Sequence, residues 1–225
     1  MRARDGVARA VDWRLYYVTD TALSGGPDRV APIVEQAVLG GAGVVQVRDK
    51  HLDDDAFAEL TRSVMLAVER AFDATGRRAA IFVNDRLSVA ERFGLHLHQG
   101  QSDGDIRATR DLLGEDSLIG LSISTVTQLL TELADPTADV LGLSPIWATP
   151  TKTDTDAALG LDGARGLIAL NGGHCPTVGI GGINASNARD VIDTGVDGIC
   201  VVSAIATAPD PRAAAAELLS IWSTR

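Results

Sequence analysis

The sequence predicts a single (β/α)₈ barrel, the TIM-barrel architecture with a closed parallel sheet. Three observations carry this. Short β-branched runs alternate with amphipathic segments, most of them ending in glycine, roughly eight times along the chain. The runs are mostly apolar, as parallel strands covered on both faces should be. Finally, 225 residues without a break in composition suit one barrel better than two domains. A doubly wound open sheet is the other arrangement the alternation allows, because periodicity does not report closure.

The elements follow in order. An Arg-rich lead-in, disordered or helical, occupies residues 1–13, and the barrel domain spans 14–225. The stretch 14–20 (RLYYVTD) reads as a strand, and 27–41 as a helix with Pro27 in its first turn and glycines at its end. Strand 43–49 (GVVQVRD) leads to helix 53–76, and strand 79–85 (AAIFVND) to the short helix 86–94. Strand 95–99 (LHLHQ) precedes helix 105–114, and strand 117–123 (SLIGLSI) precedes helix 125–136. Strand 139–146 is followed by a polar loop and helix 161–170, and strand 176–183 by helix 187–195. The run 198–205 (GICVVSAI) closes the series as a strand, before an Ala-rich helix from about Pro211.

Composition narrows the function. The formal net charge is -10, from 30 acidic and 20 basic side chains. Such a surface repels phosphodiester backbones and anionic lipid, so neither nucleic acid nor membrane is expected as a partner. An anionic ligand must be met by a local cluster of positive groups. Cys175 and Cys200 are too few for a disulfide framework or a Cys-rich zinc site, and read as small buried hydrophobes. No apolar stretch is long enough to span a bilayer, and no apolar h-region follows the Arg-rich opening. The expected location is the cytoplasm, and a homo-oligomer is left open.

Polar residues gather at one end of the predicted strands. Asp20 follows the first, Gln46, Arg48 and Lys50 close the second, and Asn84 and Asp85 close the third. His98 and Asp103 follow the fourth, and Ser122 and Ser124 the fifth. The loop TPTKTD, with Thr149, Thr151 and Lys152, follows the sixth, and GIGGI, with Gly182, ends the seventh. In a barrel these C-terminal ends meet at one face, where such folds build their sites.

Each group has a chemical and a plain reading. Gln46, Arg48 and Lys50 stand two apart and share a face, so they can line one wall of the barrel mouth as an anion grip. Alternatively they form a solvated strand end with Arg48 paired to an acidic neighbour such as Asp53. Asn84 can read a ring nitrogen and an exocyclic amine with its two amide functions. Asp85 and Asp103 come from adjacent strand ends and could share Mg²⁺, completed by phosphate oxygens; otherwise Asp85 caps a helix and Asp103 makes a turn. Thr149, Thr151 and Lys152 could close over an anion as a lid, or simply connect. The GIGGI glycines before a helix could cradle phosphate. His51, His96, His98 and His174 are assigned to no metal.

The ordered set QVRDK, VND, HQGQSD, GLSIST, GLSPIWATPTKTD, VGIGGI and GICVVSAI resembles the thiamine phosphate synthase family, from about residue 15 to 205. The resemblance implies a TIM barrel that joins a hydroxymethylpyrimidine diphosphate to a thiazole phosphate and releases pyrophosphate. Under it, Gln46, Arg48 and Lys50 hold the diphosphate, Asn84 reads the pyrimidine, and Asp85 and Asp103 carry Mg²⁺. Ser122 and Lys152 also contact the pyrimidine diphosphate, and Arg48, Lys50, Ser122 and Lys152 form the catalytic set. Thr149, Thr151, the Gly182 loop and the backbone at Val202 and Ser203 hold the thiazole phosphate. The implied reaction is dissociative: diphosphate leaves, and the thiazole nitrogen captures a pyrimidinylmethyl cation.

Three departures from the family pattern stand out: Asp49 for the usual Glu of QxREK, Gln99 for an aliphatic residue, and Ser144 for Gly in GLGP. His98 is matched to the family histidine by its spacing to Asp103. Two rivals share the scaffold. A thiazole tautomerase would need neither a diphosphate grip nor two metal carboxylates, so Arg48, Lys50, Asp85, Asp103 and Lys152 argue against it. A non-catalytic phosphate-ligand sensor would be marked by a lost cation or carboxylate, and none is missing.

Overall fold

In the computed structural model, which describes residues 3–148 and 157–223, the sheet closes. Its strands are β1 (Leu15–Val18), β2 (Val44–Val47), β3 (Ala80–Asn84) and β4 (His96–Gln99), then β5 (Ile119–Ile123), β6 (Val140–Leu143), β7 (Thr177–Ile180) and β8 (Gly198–Val201). They pair in sequence order, all parallel, and β1 pairs with both β2 and β8. Closure excludes the open doubly wound sheet.

Around them lie α1 (Ala3–Ala10), α2 (Thr21–Ser24), α3 (Pro27–Leu39), α4 (Asp54–Thr75), α5 (Leu87–Phe93) and α6 (Ile106–Leu113). The rest are α7 (Val126–Ala134), α8 (Gly160–Asn171), α9 (Ala188–Ile192), α10 (Ser203–Ala206) and α11 (Pro211–Ser220). Local sequence starts and stops them. Asp53 accepts the Ala56 N–H at 2.8 Å to begin α4, and Thr125 with Gln128 forms a reciprocal capping box on α7.

A single parity runs through the barrel. Odd-numbered strand residues, among them Tyr17, Val45, Val47, Val83, Leu141 and Val201, join the cluster under the helices. Even-numbered ones, among them Tyr16, Val44, Phe82, Val140, Val178 and Cys200, fill the interior. Because strand side chains alternate, this phase carries to the strand ends and decides what faces the mouth.

The N-terminal end of the barrel is stoppered. Trp13, 5% exposed, packs its ring 5.9 Å from Phe82 and 6.3 Å from Tyr16, and its Nε1 donates to the Ala8 carbonyl at 2.8 Å. Ala8 itself belongs to the interior cluster. The chain passes so close here that a Cβ on Gly198 would lie 2.0 Å from the Trp13 carbonyl oxygen. Glycine is what lets this segment cross.

The observed strands are shorter than the apolar runs suggest. The run 198–205 turns after Val201 into α10, and the runs 139–146 and 176–183 leave the ladder after Leu143 and Ile180. Their last residues stay apolar because they remain buried: Ile146, Ile183 and Ile205 are 0%, 4% and 0% exposed. Burial rather than pairing sets the composition there, and periodicity does not separate the two. The one-turn helix α2, begun by Asp20, also lies outside the elements read from sequence.

Candidate active site

The C-terminal strand ends enclose a cavity of about 550 Å³, within the size range of small-molecule sites. From β2, Gln46, Arg48 and Lys50 line it. From the β3 and β4 ends come Asn84, Asp85, His98 and Asp103, and from β5 Ser122. Gly182, Val202 and Ser203 line it from the β7 and β8 ends. Thr149, Thr151 and Lys152 lie outside the described residues.

The β2 end presents its side chains as parity requires. Gln46 is 4% exposed and donates from Nε2 to the Tyr16 hydroxyl at 2.9 Å, on the cavity floor. Arg48 is largely buried, with a guanidinium nitrogen 3.9 Å from Asp20 Oδ2. Asp49 turns away: its Oδ1 accepts the His51 and Leu52 N–H groups at 2.7 Å each.

Asp85 has φ 59, a conformation non-glycine residues seldom hold, and its N–H donates to the His98 carbonyl at 2.9 Å. The α5 cap position belongs to Arg86, without a side-chain cap bond, so Asp85 does not act as a helix cap. Asn84 Nδ2 donates to the Asp85 carboxylate. Asp103 does make the turn, accepting the Gly100 N–H at 2.8 Å through Oδ2. Burial, followed by the charge of Asp103 and a hydrogen bond with it, pushes the Asp85 carboxyl up to about 6. Asn84 and Lys50 pull it partly back.

On the neighbouring strand β4, His98 Nε2 lies 3.1 Å from Ser122 Oγ of β5. The ring rests against Gly120, where a Cβ would come within 2.3 Å of Nδ1, so the missing side chain makes room for the imidazole. His96 also faces inward but lower. Its Nδ1 accepts the Leu118 N–H at 3.0 Å, and burial pushes its pKa down to about 4, leaving it neutral. On the other side, Asn187 Nδ2 donates to the Gly182 carbonyl at 3.0 Å and steadies the glycine turn that leads from β7 into α9.

This is a mouth with two positive side chains, two adjacent carboxylates and a late glycine turn around one cavity. A family model described as thiamine monophosphate synthase matches residues 15–205.

The chain belongs to that family.

Among relatives of the synthase family, the thiamine-phosphate synthase of Chloroflexus aurantiacus is 42% identical over 225 aligned residues, covering 96% of each chain. The thiamine biosynthesis multifunctional protein of Corynebacterium efficiens is 45% identical over 94% of this chain. That protein is longer, and the chain spans 29% of its length. Among solved structures, thiamine phosphate pyrophosphorylase from Pyrococcus furiosus superposes with a TM-score of 0.80 at 30% identity, covering 94% of this chain and 96% of that one.

The departures from the synthase pattern now have places. Asp49 faces away from the cavity, as described. Gln99 is 2% exposed on the outer side of β4, where its Nε2 donates to the Gly104 carbonyl at 3.1 Å. Ser144 is buried at the β6 end and lines the cavity. Cys200 is buried on the inner face, whereas Cys175 is only half-buried.

Several cavity residues escape a reading of polar strand ends. Tyr16 sits on the floor, and Gln101 Nε2 donates to the Ser122 carbonyl at 2.7 Å. Tyr16 reads as core, yet it shares the phase of Gln46 on the neighbouring strand, which was a usable signal.

The Asp85–Asp103 pair suits Mg²⁺. It offers two hard carboxylate groups at the cavity rim, close enough that Asp103 raises the cost of ionising Asp85. Among the described residues no third His, Cys, Asp or Glu completes a metal cluster with them. The remaining ligands would then be phosphate and water oxygens, which is how Mg²⁺ is commonly held.

Proposed function

We propose that the chain condenses a hydroxymethylpyrimidine diphosphate with a hydroxyethylthiazole phosphate, forming thiamine monophosphate and releasing pyrophosphate. The observation that carries the reading is the convergence of Arg48 and Lys50 with Asp85 and Asp103 on one cavity of about 550 Å³. A tautomerase acting on the thiazole phosphate alone would have no use for both pairs.

The residues divide the work. Arg48 and Lys50 neutralise charge as it gathers on the departing diphosphate, stabilisation worth most in a water-poor site. Gln46 helps them hold the diphosphate, and Asn84 orients the pyrimidine end. Ser122, supported by His98, meets the pyrimidine diphosphate from the opposite wall. The Gly182 turn and the backbone at Val202 and Ser203 hold the thiazole phosphate, the usual duty of late barrel loops. Held by Asp85 and Asp103, Mg²⁺ would supply positive charge to the leaving diphosphate oxygens. The proposed route is dissociative, as the family resemblance implies, and the thiazole nitrogen that captures the cation carries no proton, so the step asks for no strong base. Thr149, Thr151 and Lys152 lie outside the described residues, and the resemblance gives Lys152 to the pyrimidine diphosphate and the two threonines to the thiazole phosphate. The free thiols Cys175 and Cys200 suit a reducing cytoplasm, where we assign the reaction. No helix among the described residues is long and apolar enough to cross a membrane.

Complementation tests the function. A bacterial strain lacking its own thiamine phosphate synthase should grow without thiamine when it carries this chain. Failure to grow despite soluble expression would count against the reading.

A further inference from the structure

The end of β1 grips the end of β2 through one buried hydroxyl. The regular ladder stops at the Val18–Gln46 pairing. Beyond it, the Thr19 N–H donates to the Gln46 carbonyl at 2.9 Å. Thr19 is 0% exposed. Its Oγ1 accepts the Arg48 N–H at 2.9 Å and lies 3.2 Å from the Arg48 carbonyl, to which it donates. The side chain thus replaces the next rung of the sheet with a pair of bonds to a single residue. Asp20, next in the chain, places Oδ2 3.9 Å from the Arg48 guanidinium, while its Oδ1 accepts the Leu23 N–H at 2.9 Å.

We infer that Thr19 is a positioning residue for the diphosphate site: it locks the main chain of Arg48 so that the guanidinium enters the mouth, with Asp20 orienting the fork. This rests on the proposed function. The argument is geometric. β2 ends at Val47, so Arg48 lies just past the last paired residue, where a strand end would otherwise fray. An unpaired backbone N–H buried there is costly. Thr19 satisfies it with a stiff β-branched side chain. A planar guanidinium recognises phosphate oxygens only when its approach is fixed, so loosening the main chain under it costs affinity before it costs fold. Thr19 does not touch the cavity and would not contact substrate. Its effect must pass through Arg48.

The experiment compares the parent chain with Thr19→Val, which keeps the shape and deletes both hydroxyl bonds, and Thr19→Ser, which keeps the hydroxyl. Binding of inorganic pyrophosphate is measured by calorimetry with Mg²⁺ present throughout, and steady-state constants are measured for both substrates. For Thr19→Val, pyrophosphate binding should weaken about tenfold and KM for the pyrimidine diphosphate should rise by a similar factor. KM for the thiazole phosphate should not move, and Thr19→Ser should return both affected values to near those of the parent. Unchanged pyrophosphate affinity in Thr19→Val, or an equal rise in both KM values, would overturn the inference. If Thr19→Val does not fold, Thr19→Ala replaces it and the same outcomes decide. A parent that neither binds pyrophosphate nor forms product would overturn the proposed function instead, so the two failures are told apart.

Discussion

Asp85 and Asp103 stand on neighbouring strand ends and share one electrostatic site, in which the charge of Asp103 helps to raise the Asp85 carboxyl to about 6. Two carboxylates held that close without a paired cation are costly, and a divalent ion relieves the cost.

The first prediction concerns Asp85 itself. Its φ of 59 makes Asp85→Asn the suitable substitution, because Asn tolerates that backbone better than Ala. Mg²⁺-dependent turnover should fall by about a hundredfold or more, with the circular dichroism of the parent retained. Normal turnover would remove Asp85 from the metal site.

The pH dependence follows in sign from the same pair. Below about 6, Asp85 keeps its proton in the metal-free protein. Mg²⁺ needs the carboxylate, so binding must expel that proton. Apparent Mg²⁺ affinity should therefore be level above about 6 and fall by about tenfold per pH unit below it. Mg²⁺ titrations at several pH values check this; affinity independent of pH would contradict it.

Gly120→Ala tests the cavity floor. Its methyl would meet the His98 ring at 2.3 Å, with the Ser122 contact behind it. Overpacking of this kind costs about 1–3 kcal/mol, so a lower melting temperature should come with a loss of turnover from the displaced ring. Full activity in the variant would mean that the His98–Ser122 contact is dispensable.

Trp13→Ala should lower stability without disturbing the site. The residue is buried at the end of the barrel away from the cavity, against Phe82 and Tyr16. Removing it should cost about 3–5 kcal/mol. For a chain of this size the melting temperature should drop by roughly 10 °C, with KM values near those of the parent. A parent-like melting curve would show that the stopper adds little.

What could be read from sequence, and what could not, divides along physical lines. Strand parity was legible because its period is two, and it correctly sends Gln46 into the barrel and turns Asp49 away. The pairing of Asp85 with Asp103 was legible as adjacency of strand ends, but the unusual backbone of Asp85 was not, since no turn glycine announces it. His98 was separated from His96 by its spacing to Asp103, whereas the glycines packed beside its ring were not legible as making room for it. Thr19 left no polar signal of its own, because a threonine inside an apolar run reads as a strand former. The end of the run 198–205 misled for the converse reason: Ile205 is buried within α10 rather than in the sheet.

The central claim is tested most directly by supplying the purified chain with both substrates and Mg²⁺ and following the two products together. Thiamine phosphate and pyrophosphate should appear in equal amounts, and neither should form when one substrate or the metal is withheld. A folded protein that yields no thiamine phosphate with all three present would contradict the account.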